Sequence, residues 1–290
     1  MKEDQSSQTA LGVCFVRAVH QMIDEVPHIL EDPVSPLLLE KEALGRIETK
    51  PEIQRSLQAR ALRSHVVLRS RYAEDRLFVA FSAGIRQFIS LGAGYDTFCF
   101  RQPDWAHSVR IIEADHPASQ SAKRALFKQK GIESSENVEF VPLDFEREGV
   151  RDGLSRSKLD FSLPTFVACL GVLAYLTSET VQRVFQSIAG MPPGSRLALA
   201  FAPKKNPSES DPENPSASQR AAEHGEPWLT RFEVAELQEK LLESGFSKVS
   251  FLETGEAKTQ YYVGRQDLPP PQMIRLCEAI VCKRPINRNF

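Results

Sequence analysis

The sequence lacks the features that mark secreted, metal-binding or membrane proteins. Its cysteines are odd in number and scattered, without the paired spacing of a zinc site or a disulfide framework. No stretch approaches the roughly 20 consecutive apolar residues of a membrane span, and the N-terminal MKEDQSSQTA has no apolar signal core. We therefore expect free thiols, no bound metal, no membrane contact and a cytoplasmic location.

An excess of charge of either sign is also missing. The 36 lysines and arginines nearly balance the 38 aspartates and glutamates, which leaves a formal net charge of -2. Such a chain has no general field that attracts a polyanion, so we exclude nucleic acid and expect a small-molecule or peptide substrate. Hydrophobic residues make up 41% of the 290, a composition typical of a soluble globular protein.

The pattern of apolar residues changes once along the chain, near Phe81. Before it, apolar residues recur at three- and four-residue spacing, which predicts a helical cap without strands over 1–81. After it, apolar runs alternate with helical ones, which predicts a Rossmann-like α/β core with a parallel sheet over 82–290. Seven runs are the predicted strands: QFISL at 87, VRIIEAD at 109, VEFVPLD at 138, TFVACLGV at 165, RLALAFA at 196, 247–253 and 275–283.

The predicted helices of the core include 117–130, 178–189 with Thr177 or Ser178 as N-cap, and 231–243, which Gly245 ends. Residues 203–227 are dense in proline, serine and charge, and this composition buries too little apolar area to order a segment. We predict that they form a mobile loop, which is either a lid that orders when substrate binds or a disordered segment without function, with Trp228 anchoring its end.

A glycine motif follows the first predicted strand. FISL runs directly into Gly92-Ala93-Gly94, and glycines there let a ligand approach the backbone at the carboxyl edge of the sheet. The alternative is an ordinary tight turn. A dinucleotide site needs a third glycine at position 97, where this chain has Thr97, and Asp96 would lie near the pyrophosphate. S-adenosylmethionine has no phosphate and avoids this conflict.

The next two strand ends carry carboxylates. Asp115 lies 21 residues beyond Gly94, the spacing at which a carboxylate binds ribose hydroxyls; alternatively it caps the following helix. Asp144 ends the third strand and is suited to accept a hydrogen bond from an adenine amino group, or it is a turn residue. The glycine motif, Asp115 and Asp144 at three successive strand ends indicate a cofactor site more specifically than any one of them does.

Seven segments together resemble the leucine carboxyl methyltransferase family, and in particular its bacterial branch of O-methyltransferases. The segments are RAVHQMIDEVPHILEDP, LRSRYAEDRL, FISLGAGYDTFCFR, IIEADHPASQSAKR, VEFVPLDFERE, GVLAYLTSE and GEPWLTRFEVAEL. The resemblance covers about residues 10–284. It implies a class I methyltransferase core with a seven-stranded sheet whose last strand is antiparallel, an N-terminal helical cap, S-adenosylmethionine as cofactor and a role in secondary metabolism.

The resemblance also implies where the cofactor binds. Arg71 would pair with its methionine carboxylate, or else be a solvated helix position. The remaining expected contacts are the glycine motif for the aminoacyl part, Asp115 with His116 for the ribose, and Asp144 with Phe145 for the adenine. Leu170 is a departure, because the family has Glu there beside the aminoacyl end, so one polar contact is lost.

Candidates for the methyl acceptor's side are fewer. His20 is our candidate base, because the cap would close over the methyl group, but a lone histidine on an amphipathic helix is more often a core residue. Arg17 and Arg231 are candidates for pairing with a substrate carboxylate, and Tyr175 and Tyr261 for lining the pocket. Alternatively, the two arginines are surface charges and the two tyrosines serve core packing.

The leading hypothesis is an S-adenosylmethionine-dependent O-methyltransferase that acts on a carboxylate or hydroxyl. A carboxylate is already ionised at neutral pH and needs no base, whereas an alcohol does. Two alternatives are a non-catalytic cofactor-binding partner protein, which Leu170 motivates, and a nicotinamide-dependent oxidoreductase, which the missing third glycine disfavours.

Overall fold

The computed structural model describes residues 7–204, 217–272 and 274–282, which form a single sheet flanked by helices. All seven predicted strands are present, which confirms the predicted fold class. They are β1 (Gln87–Leu91), β2 (Arg110–Asp115), β3 (Val138–Pro142), β4 (Phe166–Leu170), β5 (Arg196–Ala200), β6 (Lys248–Phe251) and β7 (Leu276–Ile280).

The strand order is β3-β2-β1-β4-β5-β7-β6, and β7 alone runs against its neighbours β5 and β6. The chain turns back after β3, so the order reverses between β1 and β4. Their carboxyl ends therefore open a crevice at one edge of the sheet, which is where ligands bind in open α/β sheets.

The strands are apolar because the sheet is buried on both faces. Ile89 and Leu91 of β1 point into one large core, and Phe88, which precedes Ile89, points into the other. The polar side chains that could bind a ligand therefore lie at the strand ends, whereas those within strands, such as Glu113 of β2, are buried.

Ten α-helices surround the sheet in the described part of the chain. They are α1 (Gln8–Ile23), α2 (Lys41–Thr49), α3 (Pro51–Gln54), α4 (Leu57–Ser82), α5 (Pro117–Gln129), α6 (Val150–Leu154), α7 (Ser178–Ala189), α8 (Ala217–Glu223), α9 (Val234–Ser244) and α10 (Thr254–Tyr261). None of them is long and apolar enough to cross a membrane.

Helix ends follow the predicted signals closely. The Thr177 hydroxyl caps α7 by accepting from the Thr180 N–H at 3.2 Å. Gly245 ends α9 in the left-handed conformation, with a φ of 113°.

The N-terminal helices share a core with the sheet. α4 contacts β4, β5 and β7, and Leu68 and Leu77 pack with Phe88 and Phe166 of the sheet. No described residue before β1 lies in a strand.

The predicted mobile loop over 203–227 differs from the structure in part. Residues 205–216 lie outside the described residues, but 217–223 form α8, with Ala221 only 1% exposed. The composition argument averaged over the whole segment and missed the helix-forming run SQRAAE at its end.

Candidate functional site

The loop after β1 requires its two outer glycines. Gly92 has a φ of 65° and Gly94 a φ of 51°, values that strain any residue with a Cβ. A Cβ on Gly92 would overlap the side chain of Val172, and one on Gly94 would lie 3.0 Å from the Cβ of Ala10 in the first turn of α1. The glycine motif is therefore enclosed on two sides and has no room for a larger residue.

Asp115 ties the end of β2 to this loop. One carboxylate oxygen accepts from the Gly94 N–H at 2.7 Å, and the other accepts from the His116 N–H at 2.7 Å. Burial raises the pKa of Asp115 above its ordinary value, although both N–H donors oppose the shift. His116, not Asp115, caps α5, since its ring nitrogen accepts from the Ala118 N–H at 3.3 Å.

Asp144 stands beside this pair at the end of β3. Its carboxylate lies 3.8 Å from Nε2 of His116 and is 24% exposed, so it faces the edge rather than the core. Phe145 is 8% exposed and packs in the core behind Asp144. The three strand ends named from the sequence thus lie side by side.

The edge continues at the end of β4 with Leu170 and Gly171. The guanidinium of Arg69, from α4, lies over Gly171 and would be 2.6 Å from a Cβ there. The guanidinium of Arg69 makes no hydrogen bond or ion pair with any described residue. Burial lowers its pKa to about 10, so it remains charged at neutral pH.

Arg71 lies elsewhere. It is 43% exposed and pairs with Asp75 at 2.9 Å, in a groove that it shares with Tyr261, whose hydroxyl also donates to Asp75 at 2.9 Å. Two positions along a helix differ by about 200°, so Arg71 and Arg69 point in opposite directions. The structure therefore brings Arg69, and not Arg71 or Tyr261, to the glycine edge. The buried residues Val66 and Ala73, at helical spacing from Arg69, are the sequence signal for this face.

Arg17 and His20 are both held inside the fold. Arg17 is 2% exposed and donates to Asp96 at 2.9 Å and to the Tyr95 carbonyl, with Asp32 at 3.3 Å. His20 is fully buried and hydrogen bonds Asp24 at 2.7 Å, and burial lowers its pKa. Their polar groups are engaged by the protein itself, which favours the packing alternatives.

Arg17 also alters the argument about Asp96. Burial alone would raise the pKa of Asp96, but Arg17 and Arg101 hold it below the ordinary range. The carboxylate is therefore ionised and neutralised by the protein, and the case against a dinucleotide rests on Thr97, which is fully buried and donates to Asp32 at 2.8 Å.

A second group of side chains faces the edge from the side of Tyr175. The Tyr175 hydroxyl lies beside the Trp228 indole, the Thr9 hydroxyl and Arg69, and burial raises its pKa, so it stays protonated. The guanidinium of Arg231 lies 5.4 Å from the centre of the Trp228 ring. Sequence reasoning named Tyr175 and Arg231 but gave Thr9 no role and Trp228 only an anchoring one.

His65 is a further residue that sequence reasoning missed. It precedes Arg69 by one turn of α4, and its imidazole ring makes no hydrogen bond with any described residue. Burial, together with Arg69 and Arg275, lowers its pKa to about 4, so the imidazole is neutral at pH 7. In the described part of the chain, no three His, Cys, Asp or Glu residues are grouped to hold a metal.

The chain is similar to methyltransferases in sequence and in fold. The family model described as leucine carboxyl methyltransferase matches residues 10–189. A Bacillus subtilis protein named "Putative S-adenosyl-L-methionine-dependent methyltransferase YktD" is 28% identical over 92% of this chain and 95% of its own length. A Mycobacterium avium protein named "Putative S-adenosyl-L-methionine-dependent methyltransferase" is 29% identical over 68% of this chain and 65% of its own length.

Two crystal structures share the fold. One is described as a putative methyltransferase from Thermobifida fusca, with a TM-score of 0.57 and 18% identity over 97% of both chains. The other is a DUF574 family protein from Streptomyces avermitilis, with a TM-score of 0.53 and 17% identity over 97% of this chain and 99% of that one.

The edge fits S-adenosylmethionine on the evidence of its own residues. Gly92 and Gly94 form a tight backbone turn at the carboxyl end of β1 that no residue with a Cβ could form, because Val172 and Ala10 pack against it. The Arg69 guanidinium, which pairs with no carboxylate in the described part of the chain, suits a carboxylate ligand. Two carboxylates at successive strand ends suit hydroxyl and amino donors. The chain belongs to the leucine carboxyl methyltransferase family and is an S-adenosylmethionine-dependent methyltransferase.

Proposed function

We propose that the chain transfers the methyl group to an oxygen, carboxylate or hydroxyl, of a small-molecule or peptide substrate. The observation that carries the proposal is the group of hydrogen-bond donors beside Gly171. The Tyr175 hydroxyl, which stays protonated because burial raises its pKa, lies there with the Trp228 indole and the Thr9 hydroxyl. A carboxylate, which arrives already ionised, matches such surroundings best. The assignment to secondary metabolism rests on resemblance alone.

The proposed reaction is an in-line displacement, for which bound S-adenosylmethionine supplies a methyl group on a positively charged sulfur. Arg69 would hold the methionine carboxylate, Asp115 the ribose hydroxyls and Asp144 the adenine amino group. The enclosed glycine loop would fix the reacting end against Gly92 and exclude water, and this positioning supplies most of the acceleration. His65 is a poor proton acceptor because its pKa is about 4.

Calorimetric titration with S-adenosylhomocysteine and, separately, NADH tests the cofactor site. We expect S-adenosylhomocysteine alone to bind, and Asp115→Ala to weaken it by roughly tenfold or more, since hydrogen bonds to a charged group are lost. Asp104→Ala, at an exposed position, is the matched control. Binding of NADH instead would exclude the methyltransferase site.

Turnover distinguishes the enzyme from the non-catalytic alternative that Leu170 motivates. Methyl-labelled S-adenosylmethionine would be incubated with the protein and a panel of carboxylates, phenols and alcohols. Labelled ester or ether products support the proposal, whereas tight cofactor binding without transfer to any member supports a partner protein.

A further inference from the structure

Three side chains from distant parts of the sequence meet beside the glycine loop. Thr9 lies in the first turn of α1, Tyr175 follows β4, and Trp228 follows α8. The Tyr175 hydroxyl faces both of the others. Ala10, next to Thr9, closes over Gly94, and Val172, three residues before Tyr175, closes over Gly92. The cluster therefore borders the place where the methyl group is expected.

Two polar atoms of this cluster are incompletely hydrogen bonded. The Thr9 hydroxyl and the Trp228 indole nitrogen are buried beside the Tyr175 hydroxyl, but neither makes a hydrogen bond of normal geometry with a described residue. Buried polar groups are nearly always hydrogen bonded in native proteins. Two unsatisfied atoms at one point indicate a ligand group that completes them.

The segments that carry the cluster are fastened to one another. Glu226 accepts from the Ser7 hydroxyl at 3.1 Å and from the Thr9 N–H at 3.3 Å. The Leu229 N–H donates to the Ala174 carbonyl at 2.6 Å. The three side chains are thus held in place by backbone and carboxylate contacts that do not use their own polar atoms.

The side chains of the cluster favour a ligand group that accepts hydrogen bonds. The Trp228 indole only donates, and the Tyr175 hydroxyl stays protonated because burial raises its pKa. The Arg69 cation lies next to Tyr175. Glu226 is the nearby carboxylate, and its Oε2 is occupied by Ser7 and Thr9.

We propose that Thr9, Tyr175 and Trp228 form the acceptor-binding subsite and donate hydrogen bonds to an anionic oxygen group of the substrate. This subsite rests on the proposed methyl transfer, since it places the substrate oxygen beside the bound cofactor. It is completed only when the first turn of α1 is docked on the segment after α8.

The two tryptophans of the chain make the test direct. In the protein saturated with S-adenosylhomocysteine, the indole N–H signals of Trp105 and Trp228 would be followed by NMR and assigned with Trp105→Phe. Acetate, hexanoate and benzoate are the probes, and their amides are the neutral controls. We expect carboxylates to move the Trp228 signal downfield, the amides to move it less, and the Trp105 signal to stay in place.

Variants then assign the effect to the cluster. Thr9→Val and Tyr175→Phe should each weaken carboxylate binding about tenfold, the usual effect of one lost hydrogen bond to a charged group. Tyr261→Phe is the matched control, because its hydroxyl binds Asp75 in a separate groove. Calorimetry of the same samples should show unchanged affinity for S-adenosylhomocysteine.

The possible results distinguish failure of the subsite from failure of the proposed methyl transfer. If S-adenosylhomocysteine binds but no carboxylate moves the Trp228 signal, or if Tyr261→Phe acts as strongly as Tyr175→Phe, the subsite is overturned and the cofactor site stands. If amides act as well as carboxylates, the anionic preference is overturned. If S-adenosylhomocysteine does not bind, the proposed function itself fails.

Discussion

The two sides of the crevice are built in different ways. On the cofactor side, the Asp115 carboxylate accepts from the Gly94 N–H and from the His116 N–H, both at 2.7 Å, and so joins the ends of two adjacent parallel strands. On the acceptor side, Thr9, Tyr175 and Trp228 come from segments far apart in sequence, and two of their polar atoms are unsatisfied among the described residues. The first side is organised before any ligand arrives, whereas the second needs a ligand to complete its hydrogen bonds.

The largest expected effect concerns the support of the cofactor side. Lys123 of α5 and Glu113 of β2 form a buried ion pair at 2.6 Å, in which both side chains are at most 3% exposed. Lys123→Met leaves a buried carboxylate unpaired and should lower the free energy of unfolding by about 3–5 kcal/mol. Urea denaturation measures this, with exposed Lys128→Met as control. Equal stability of the two variants would mean that the pair does not support the edge.

The glycine loop gives the next largest effect. Gly92 and Gly131 have nearly the same φ, 65° and 68°, but a Cβ on Gly131 meets no atom within 4 Å. Gly131→Ala should cost only the backbone strain, about 1–2 kcal/mol. Gly92→Ala adds the overlap with Val172 and should also abolish binding of S-adenosylhomocysteine. Thermal unfolding and calorimetry separate the two terms, and similar results for both variants would show that the loop is not enclosed.

Substitutions of Arg69 and Arg71, two residues of α4, should differ in their effect on cofactor binding. Arg69→Met should weaken S-adenosylhomocysteine binding by about tenfold or more, because it removes the cation over Gly171. Arg71→Met should change the affinity by less than about twofold, since its partner is Asp75 in the separate groove. Calorimetry of both proteins decides, and the reverse order would restore Arg71 to the cofactor site.

The smallest effect belongs to the contact that holds the acceptor side together. Glu226→Gln weakens the bonds to Ser7 and Thr9 and should cost about 1 kcal/mol of local stability. Faster amide hydrogen exchange in the first turn of α1 would report it, with no change for exposed Glu223→Gln. Unchanged exchange in Glu226→Gln would show that α1 is held by its packing alone.

The sequence predicted the seven strands and their connection because apolar runs that alternate with helices permit few topologies. It also predicted that Gly92, Asp115 and Asp144 share one edge, since successive parallel strands end on the same side of the sheet. The composition of 203–227 predicted a loop throughout, but α8 forms at 217–223. The composition is an average over 25 residues, whereas helix propensity depends on a shorter run of residues.

Local pattern determined the strand-end part of the cofactor side, because Gly92, Asp115 and Asp144 each lie at the carboxyl end of their own strand. Only the tertiary structure decided the position of Arg69 and the acceptor side. The rotation of α4 brings Arg69 to the edge and takes Arg71 away from it, and the docking of α1 and the segment after α8 brings Thr9 and Trp228 to Tyr175. Such contacts depend on how whole helices pack, and periodicity along the chain does not specify that packing.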